Sequence, residues 1–421
     1  MPEPFYNIKL LKGGTLQGPL SHIRVIELCR IMAGPSAGQI LADLGADVIK
    51  IERPEIGDDC RGWGPPFLKD RNGEETRESA YFLSVNRGKR SLTVDLSNPE
   101  GQKIIQSLAS RSDIVLENFR VGTLERYGLS YDDLKVINPK LIYCSVTGFG
   151  QTGPRRKQAA YDFMIQAMGG LMSVTGERDD KPGGGPQKVG IPIIDLVSGL
   201  YAIVGVLAAL ARRNLSGKGE YVDIGMLDSQ VAILANQAMN YLISGNVPKR
   251  QGNAHPNIQP QDVFACIDGD IAIAVGNDLQ FSKLCQVLES PEFITDQRFD
   301  TIQNRNRNVD ALRRHIADKL SQNNRQYWVE KLDAAGVPAS PINSLAEIFE
   351  DDQVKAREMI KHIQHPLAGT MPIVASPMRF RETPTKQDCP PPLLSEHSIE
   401  ILRELDMEED EIERLHEKGI I

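Results

Sequence analysis

The first half of the chain repeats one pattern of hydrophobic and polar positions. An apolar run at residues 23–28 is followed by helical spacing that opens near Pro35 and stops at Gly45, and then by the apolar run Asp47–Glu52. A strand, a short helix and a second strand make a βαβ unit, which implies parallel strands joined by a right-handed crossover.

The same alternation continues to about residue 225. The motif Ser97-Asn-Pro-Glu100 predicts a capping box that opens a helix, and residues 113–119 and 141–146 have the apolar character of buried strands. A long helix rich in Ala and Gly is predicted at 196–213. Its apolar part is shorter than the roughly 20 residues that cross a bilayer, so we expect a buried core helix and no membrane partner. This half therefore predicts a doubly wound α/β domain.

The pattern changes after Met239. Two apolar runs flank Asp268-Gly-Asp270 and predict a hairpin, and three amphipathic helices are expected at 278–289, 309–322 and 325–335. Short strands at 373–374 and 378–380 and charged helices from about 394 complete the chain. We expect a smaller α+β domain after the first one, with long connections that leave room for a cleft.

Charge and cysteine content narrow the class of protein. There are 48 basic and 56 acidic residues, a net charge of −8, which disfavours nucleic acid as a partner. None of the six cysteines forms a C-x-x-C pair, so neither a zinc site nor a disulfide framework is predicted, and His362 and His365 stand beside Pro366, unlike metal ligands on a helix. The first residues lack a signal peptide pattern, and free thiols fit a reducing compartment; we therefore expect a cytoplasmic protein.

Two glycine-rich stretches could be mistaken for nucleotide sites. Gly148-Phe-Gly-Gln-Thr-Gly153 matches G-x-G-x-x-G, but no helix opens directly after it and no acidic residue ends a following strand, so a structural turn is predicted. Residues 183–185 are three glycines without a Walker pattern, and they are read as a surface loop or as a lid.

Charged residues near the predicted strand ends are candidates for ligand binding. Lys50, Arg53, Lys89 and Arg90 lie there, and the Arg53 guanidinium could hold a phosphate. Asp195 follows an apolar run and opens the long helix. It could be the N-cap of that helix, or a carboxylate that a ligand approaches at the positive helix end; the two roles are compatible.

A series of ordered motifs gives the chain a family resemblance. They are Ile26-Glu-Leu-Cys-Arg-Ile-Met-Ala-Gly-Pro35, Leu44-Gly-Ala-Asp-Val-Ile-Lys-Ile-Glu-Arg-Pro54, Asn86-Arg-Gly-Lys-Arg-Ser91, Leu116-Glu-Asn-Phe119, Ser145-Val-Thr-Gly-Phe-Gly-Gln-Thr-Gly-Pro154, Asp195-Leu-Val-Ser-Gly199 and Pro391-Pro-Leu-Leu-Ser-Glu-His397. Together they resemble the class III coenzyme A transferases, the CaiB/BaiF family. Gly252-Asn-Ala-His-Pro-Asn257 is most similar to the succinate–hydroxymethylglutarate CoA-transferase branch.

The resemblance implies an α/β fold in which each chain forms an open ring and two rings interlock as a homodimer. A Rossmann-like large domain would hold residues 1–225, a smaller α+β domain 226–330, and the segment 331–421 would return to the large domain. The catalytic residue would be Asp195. The implied contacts to coenzyme A (CoA) are Met32, Ala33, Arg53, Val94, Ser97, Asn118, Phe119, Arg120, Arg126, Ala159 and Asp162. No tightly bound cofactor and no metal are implied, since CoA and its thioesters are substrates.

The function that the resemblance implies is transfer of CoA from an acyl-CoA, in this branch a dicarboxylic one such as succinyl-CoA, to a free carboxylic acid. The route would pass through an aspartyl anhydride and an aspartyl-CoA thioester, with oxyanion donors from Gly34 or the 183–185 loop. Met32 and Ala159 depart from the formyl-CoA/oxalate branch, which has glutamine and lysine there, so a contact to an oxalate-like acid and one cationic CoA contact are not carried over.

Two other functions stay open. An α-methylacyl-CoA racemase of this family resembles Gly-His-Asp where this chain has Ala160-Tyr161-Asp162, and a tyrosine with an ordinary pKa of about 10 suits a proton shuttle poorly. A catalytically inactive CoA-binding homologue would keep the arginines and lose activity with every donor.

Overall fold

The computed structural model describes residues 18–421, so the expectation about a signal peptide, which concerns the first residues, lies outside the described part. The chain forms two compact units. The first contains the residues up to Gly169, Ile191–Ile233 and Ala356–Ile421, and the second contains Gly170–Gly190 and Leu234–Lys355. The division predicted at 225 and 330 placed residues 170–190 in the first domain and 331–355 with the returning tail.

The first unit is built on a six-stranded sheet in which all neighbouring strands are parallel. In chain order the strands are Arg24–Leu28, Asp47–Glu52, Arg90–Thr93, Ile114–Glu117, Ile142–Thr147 and Glu220–Gly225. Across the sheet they lie in the order third, second, first, fourth, fifth, sixth, which is the doubly wound arrangement. The predicted α/β fold and its apolar strands are confirmed.

Helices cover this sheet, and their apolar faces form its core. The α-helices of the first unit are Ala33–Asp43, Ala80–Leu83, Pro99–Ser110, Tyr131–Ile137, Asp162–Met168, Ile193–Ser216, Met226–Ile233, Ser398–Glu404 and Glu409–Glu417, and Asp352–Ala356 lies at its boundary; Asp59–Gly62 and Glu125–Tyr127 are single 3₁₀ turns. Ile401 and Leu415 of the C-terminal helices share one buried cluster with Ile26 and Ile49 of the sheet.

The capping box predicted at residues 97–100 is wrong. The helix Pro99–Ser110 begins one residue later, because Pro99 takes the first helical position and Asn98 becomes the N-cap. The Asn98 side chain accepts from Glu100 N–H at 2.9 Å, and the Glu100 carboxylate instead pairs with Arg414 and Lys418.

The long helix Ile193–Ser216 has 24 residues, more than the sequence predicted. Among the described residues it is the one helix long and apolar enough to cross a membrane, so the argument from its shortness is wrong. It packs against the helix Ala33–Asp43 and against the strands Ile142–Thr147 and Glu220–Gly225. The approach to the first of these is close, since a Cβ on Gly199 would lie 2.3 Å from Ser36 Oγ.

Two antiparallel hairpins complete the first unit, Phe67–Lys69 with Glu75–Ser79 and Ile360–His365 with Gly369–Val374. The short strand predicted at 373–374 is the end of the last of these. The strand predicted at 378–380 is absent from the structure.

The second unit is a small α+β structure, as predicted. Its antiparallel sheet has the order Ala339–Pro341, Gly269–Ala274, Gln261–Cys266, and its α-helices are Leu171–Val174, Ala235–Ser244, Asp278–Val287, Ile302–Arg307, Val309–Leu320, Arg325–Ala335 and Leu345–Glu350, with a 3₁₀ turn at Pro291–Ile294. The hairpin turn falls at Ile267 and Asp268, because Cys266 pairs with Gly269.

Candidate active site

The candidate site lies at the point where the strand order of the parallel sheet reverses. Arg24–Leu28 and Ile114–Glu117 are neighbours there, and Leu28 pairs with Glu117 at their carboxyl ends. The connections that leave these two strands run to opposite sides of the sheet, so a crevice opens between them. The segments that follow, residues 29–33 and 118–121, carry several of the predicted ligand contacts.

A cavity of about 160 Å³ occupies this crevice. Its lining brings together predicted site residues that are far apart in the sequence: Met32, Ala33, Asn118, Phe119, Arg120, Ala159 and Asp195. Three arginines belong to the lining, Arg30, Arg120 and Arg156, of which Arg30 and Arg156 were not singled out from the sequence. Asp195 and three arginines therefore line a single space, and the Arg30 guanidinium also pairs with Asp59 at 2.8 Å.

A second cavity of about 310 Å³ adjoins the first, because Arg30 and Phe119 line both. It contains the predicted contacts Arg53, Val94 and Ser97. The Arg53 guanidinium is exposed and pairs with Asp59 at 2.6 Å. Arg30 and Phe119 therefore form part of a wall common to the two cavities.

The remaining predicted residues lie outside both cavities. Arg126 is exposed in the 3₁₀ turn Glu125–Tyr127, whose last residue lines the second cavity. Gly34 is buried in the first turn of its helix, where a Cβ would lie 2.2 Å from Cys29 Sγ. The glycines 183–185 belong to the second compact unit.

The basic residues near the strand ends divide into two groups. Lys50 and Lys89 are wholly buried in ion pairs, and Arg90 pairs with Asp47 and Glu404, so these three are not open phosphate contacts. Only Arg53 of the four lines a cavity from an exposed position. The sequence could not separate them, because burial of a lysine depends on its distant partners.

Asp195 is not the N-cap of its helix. The helix begins at Ile193 after Pro192, so Asp195 is its third residue. The cap comes from Asp162, 33 positions earlier, whose Oδ2 accepts from Ile194 N–H at 2.7 Å and from Asp195 N–H at 3.3 Å. Gln166 Nε2 donates to the other oxygen of Asp162 at 2.5 Å. Asp162 is therefore buried beside Asp195 and lines neither cavity.

This arrangement leaves the Asp195 carboxylate without a hydrogen-bond donor among residues 18–421, while it faces the cavity. Burial raises the pKa of Asp195 to about 7, and the nearby Asp162 carboxylate adds to the rise. An unpaired carboxylate in a partly dry cavity is more reactive than one solvated by water, because it loses less solvation when it attacks.

The sequence did not single out Tyr81, which is close enough to Asp195 to be affected by its charge, or Trp63, which contacts Tyr81. Burial raises the pKa of Tyr81 to about 12, and the negative charge of Asp195 contributes to that rise. The Tyr81 ring meets the half-exposed Trp63 ring edge to face, at 5.1 Å between centroids. No local pattern marks either residue, since each lies on a separate short element.

Comparison with known proteins shows which family the chain belongs to. The model of CoA-transferase family III matches residues 20–398. A succinate–glutarate CoA-transferase from Agrobacterium fabrum is 46% identical over 92% of this chain and 96% of its own length. A succinyl-CoA:glutarate CoA-transferase from Mus musculus is 40% identical over 96% of this chain and 90% of its own length.

A third relative and a solved structure agree with these. A succinyl-CoA:mesaconate CoA-transferase from Haloarcula hispanica is 40% identical over 92% of this chain and 96% of its own length. The crystal structure of a CaiB/BaiF family protein from Brucella suis superposes with a TM-score of 0.82 at 47% identity and covers 93% of this chain and 100% of that one. The chain therefore belongs to CoA-transferase family III and is a CoA-transferase.

Proposed function

We propose that this enzyme transfers CoA from succinyl-CoA to a second dicarboxylic acid of the glutarate type. The relatives are named for succinate or succinyl-CoA together with glutarate or mesaconate, which are dicarboxylic acids. The observation that carries the proposal is the cavity in which the unpaired Asp195 carboxylate shares the lining with Arg30, Arg120 and Arg156. Guanidinium groups suit the second carboxylate that a dicarboxylic acid keeps during the reaction.

Asp195 acts as the nucleophile in this proposal. Its carboxylate oxygen attacks the thioester carbon of the donor, the C–S bond breaks, and an acyl–aspartyl anhydride and CoA thiolate result. The thiolate then attacks the Asp195 acyl carbon, which gives aspartyl-CoA thioester and releases the donor acid as its carboxylate. The acceptor carboxylate repeats these two steps in reverse order and leaves Asp195 free.

Each step passes through a tetrahedral oxyanion that needs hydrogen-bond donors. Ala33 and Gly34 are the first residues of the helix Ala33–Asp43, and the N-cap Met32 offers no side-chain cap. Their N–H groups have no partner among the described residues and belong to the positive end of that helix. Ala33 lines the first cavity and Gly34 does not, so we assign the Ala33 N–H as an oxyanion donor, in place of Gly34 and the loop at 183–185.

CoA would extend from the first cavity into the second. Arg53 is the exposed cation of the second cavity and would pair with a phosphate of CoA once Asp59 releases it. The pantetheine arm would then pass Arg30 and Phe119, the residues common to both cavities.

The racemase alternative loses support at the same site. Racemisation needs two acid/base groups on opposite sides of a carbon atom, and no histidine is among the described residues that line the cavity. Tyr161 lines it with 60% of its surface exposed.

A homodimer is part of the proposal. Leu200 and Val204 are 53% and 65% exposed on a helix whose other face is in the core, and Phe163 and Met164 are also exposed. Apolar side chains of this size are expected to be covered in an assembly. Mass measurement at nanomolar concentration should give twice the mass of the chain, and a stable folded monomer would contradict the interlocked dimer.

The substrate proposal is tested with a panel of CoA donors and free acids. Succinyl-CoA and acetyl-CoA are each incubated with glutarate, mesaconate, oxalate or butyrate, and product thioesters are identified by mass. We expect succinyl-CoA with glutarate to turn over fastest, and butyrate, which lacks the second carboxylate, to be poor. Equal rates with glutarate and butyrate would contradict a role for the arginines, and hydrolysis without transfer would contradict the proposed reaction.

A further inference from the structure

The turn Cys29–Ile31 connects the first strand of the sheet to the helix that begins at Ala33, and its residues line both cavities. Ile31 has φ = 73°. A β-branched residue is rarely found in this left-handed region, because its side chain crowds the backbone. Such a conformation persists only when the surrounding structure holds it in place.

Hydrogen bonds from a buried ion pair hold this turn in place. Lys50 Nζ donates to Cys29 O at 2.9 Å, and the Asp58 carboxylate accepts from Ile31 N–H at 3.1 and 3.2 Å. Lys50 and Asp58 contact each other at 2.9 Å, and neither side chain is exposed. The pair therefore bonds to the backbone on both sides of Arg30. The backbone of Arg30 itself is bonded twice by the Asn118 side chain.

Both members of the pair are charged at neutral pH. Burial opposes ionisation of Asp58, but the Lys50 ammonium outweighs it and holds the pKa of that carboxyl well below its usual range. In the same way, Asp58 and Glu27 keep the pKa of Lys50 above its usual range despite burial. A buried ion pair is seldom the most stable way to fill a core, since apolar residues of similar volume often do as well. Its position under a strained turn indicates a geometric role.

A second buried lysine offers a matched comparison. Lys89 also has no exposed surface and also pairs with Glu27, at 2.7 Å. Its other bonds go to Pro35 O and Asn86 Oδ1, both at 2.8 Å, and none goes to residues 29–31. The two lysines thus share burial and one partner and differ in whether they hold the turn.

We propose that Lys50 and Asp58 are positioning residues for CoA transfer, which fix the turn Cys29–Ile31 and thereby place Met32 and Ala33 against the reacting groups. The proposal rests on the proposed function, because the turn leads directly into the helix whose first N–H is the proposed oxyanion donor. Neither residue touches the substrate in this account. Their effect is expected on kcat, through the geometry of the transition state, more than on the binding of CoA.

The test compares the double variant Lys50→Met/Asp58→Asn with Lys89→Met. The double variant removes both charges, so no unpaired ion is left in the core, and the single variant Asp58→Asn is made in parallel because it keeps a carbonyl oxygen near Ile31 N–H. Folding is followed by thermal unfolding. Transfer is measured as kcat and KM, and the exchange of backbone amides in a peptide containing residues 29–33 is followed by mass spectrometry.

We expect kcat of the double variant to fall about 100-fold with KM for acyl-CoA changed less than about threefold, while Lys89→Met stays within about threefold of the wild type. Amide exchange at Ile31 should accelerate in the double variant and not in Lys89→Met. If the double variant does not fold, Asp58→Asn should take its place: its kcat should be lower, and its Ile31 exchange faster, than those of Lys89→Met. The fall in kcat should then be smaller than about 100-fold. Equal kcat values and equal Ile31 exchange in the folded Lys50/Asp58 and Lys89 variants would overturn the proposal.

The exchange measurement separates this proposal from the proposed function. If the wild-type enzyme transfers CoA between none of the acids tested, the proposed substrates are wrong, and the Ile31 exchange still decides whether the pair holds the turn. If transfer is normal in the wild type and unchanged in the folded double variant, the positioning role is wrong and the proposed function stands.

Discussion

The two helices that meet at the candidate site begin in opposite ways. The helix Ala33–Asp43 has Met32 as its N-cap and the helix Ile193–Ser216 has Pro192, and neither residue offers a capping side chain. The second helix is capped by the distant carboxylate of Asp162, whereas the first has no such cap and its N–H groups lie next to the cavity. The contrast teaches how one site can hold an unpaired carboxylate and a set of unbonded N–H groups side by side.

Each beginning suits a different part of acyl transfer. Because Asp162 satisfies the helix at Ile193, the Asp195 carboxylate is not bound to its own backbone and is available for the attack that we propose. Because the helix at Ala33 is not capped, its amides can receive the charge that forms on the substrate oxygen. The following predictions test whether the N-termini of these two helices have the different roles proposed for them.

The largest effect is expected for Asp195→Asn. Loss of a nucleophile typically costs at least about 10⁴-fold in rate, while CoA should still bind, because Arg53 and the second cavity are unchanged. Transfer is assayed with succinyl-CoA and glutarate, and CoA binding by calorimetry. In the wild type, hydroxylamine should convert Asp195 to a hydroxamate only when an acyl-CoA is present, and ¹⁸O-labelled acid should leave label on this residue. Near-normal transfer by Asp195→Asn would exclude the covalent route.

A smaller effect is expected when the carboxylate cap is altered. Asp162→Asn keeps an oxygen for the two N–H groups and removes a negative charge close to Asp195, so the pKa of Asp195 should fall from about 7 towards its ordinary range. Since the reactive form is the carboxylate, the rise of kcat/KM with pH should move to lower pH. Asp162→Ala also removes the cap, and a loss of about 100-fold in kcat is expected from misplacement of Asp195. An unshifted profile in both variants would mean that Asp162 does not act on Asp195.

How far the sequence predicts this contrast depends on the range of the contacts involved. The parallel strands followed from apolar runs, because the pattern of each run is local. The capping of the helix at Ile193 could not be predicted in this way, since Pro192 has no capping side chain and the acceptor, Asp162, is 32 residues from Ile194. Lys50 and Lys89 were candidates for ligand binding in the sequence, and only the folded arrangement around Glu27 shows that they are buried. Asp195 was singled out from the apolar run before it, whereas its catalytic role was implied only by the family motifs.

About a tenfold loss of CoA affinity is expected from a change in the second cavity, where Arg53 lies. Arg53→Ala removes a charge-assisted contact to a phosphate, which corresponds to about tenfold weaker CoA binding once its exposure is taken into account. If the lost partner is the 3′-phosphate, 3′-dephospho-CoA should bind the variant and the wild type equally. Arg212→Ala is a matched control, because Arg212 is also exposed and paired with a carboxylate, that of Glu220. Equal weakening by the two variants would indicate a general charge effect.

The smallest effect concerns thermal stability. It tests whether ionisation of the buried Asp195 carboxyl group lowers the stability of the folded protein. A carboxyl group whose pKa is about 7 in the folded state and about 4 in the unfolded chain favours folding when protonated. As pH rises from about 4 to about 7, the unfolded chain loses this proton before the folded protein does, so the wild type should lose stability over that interval relative to Asp195→Asn. The variant, which cannot ionise, should therefore have the higher Tm at pH 8, by a few degrees, and the difference should shrink towards pH 4. Paired thermal scans at several pH values measure it, with Asp410→Asn, an exposed carboxyl in the C-terminal helix, as the control. A difference in Tm that does not change with pH would show that Asp195 ionises in the folded enzyme as it does in water, and the free carboxylate would then cost the fold nothing.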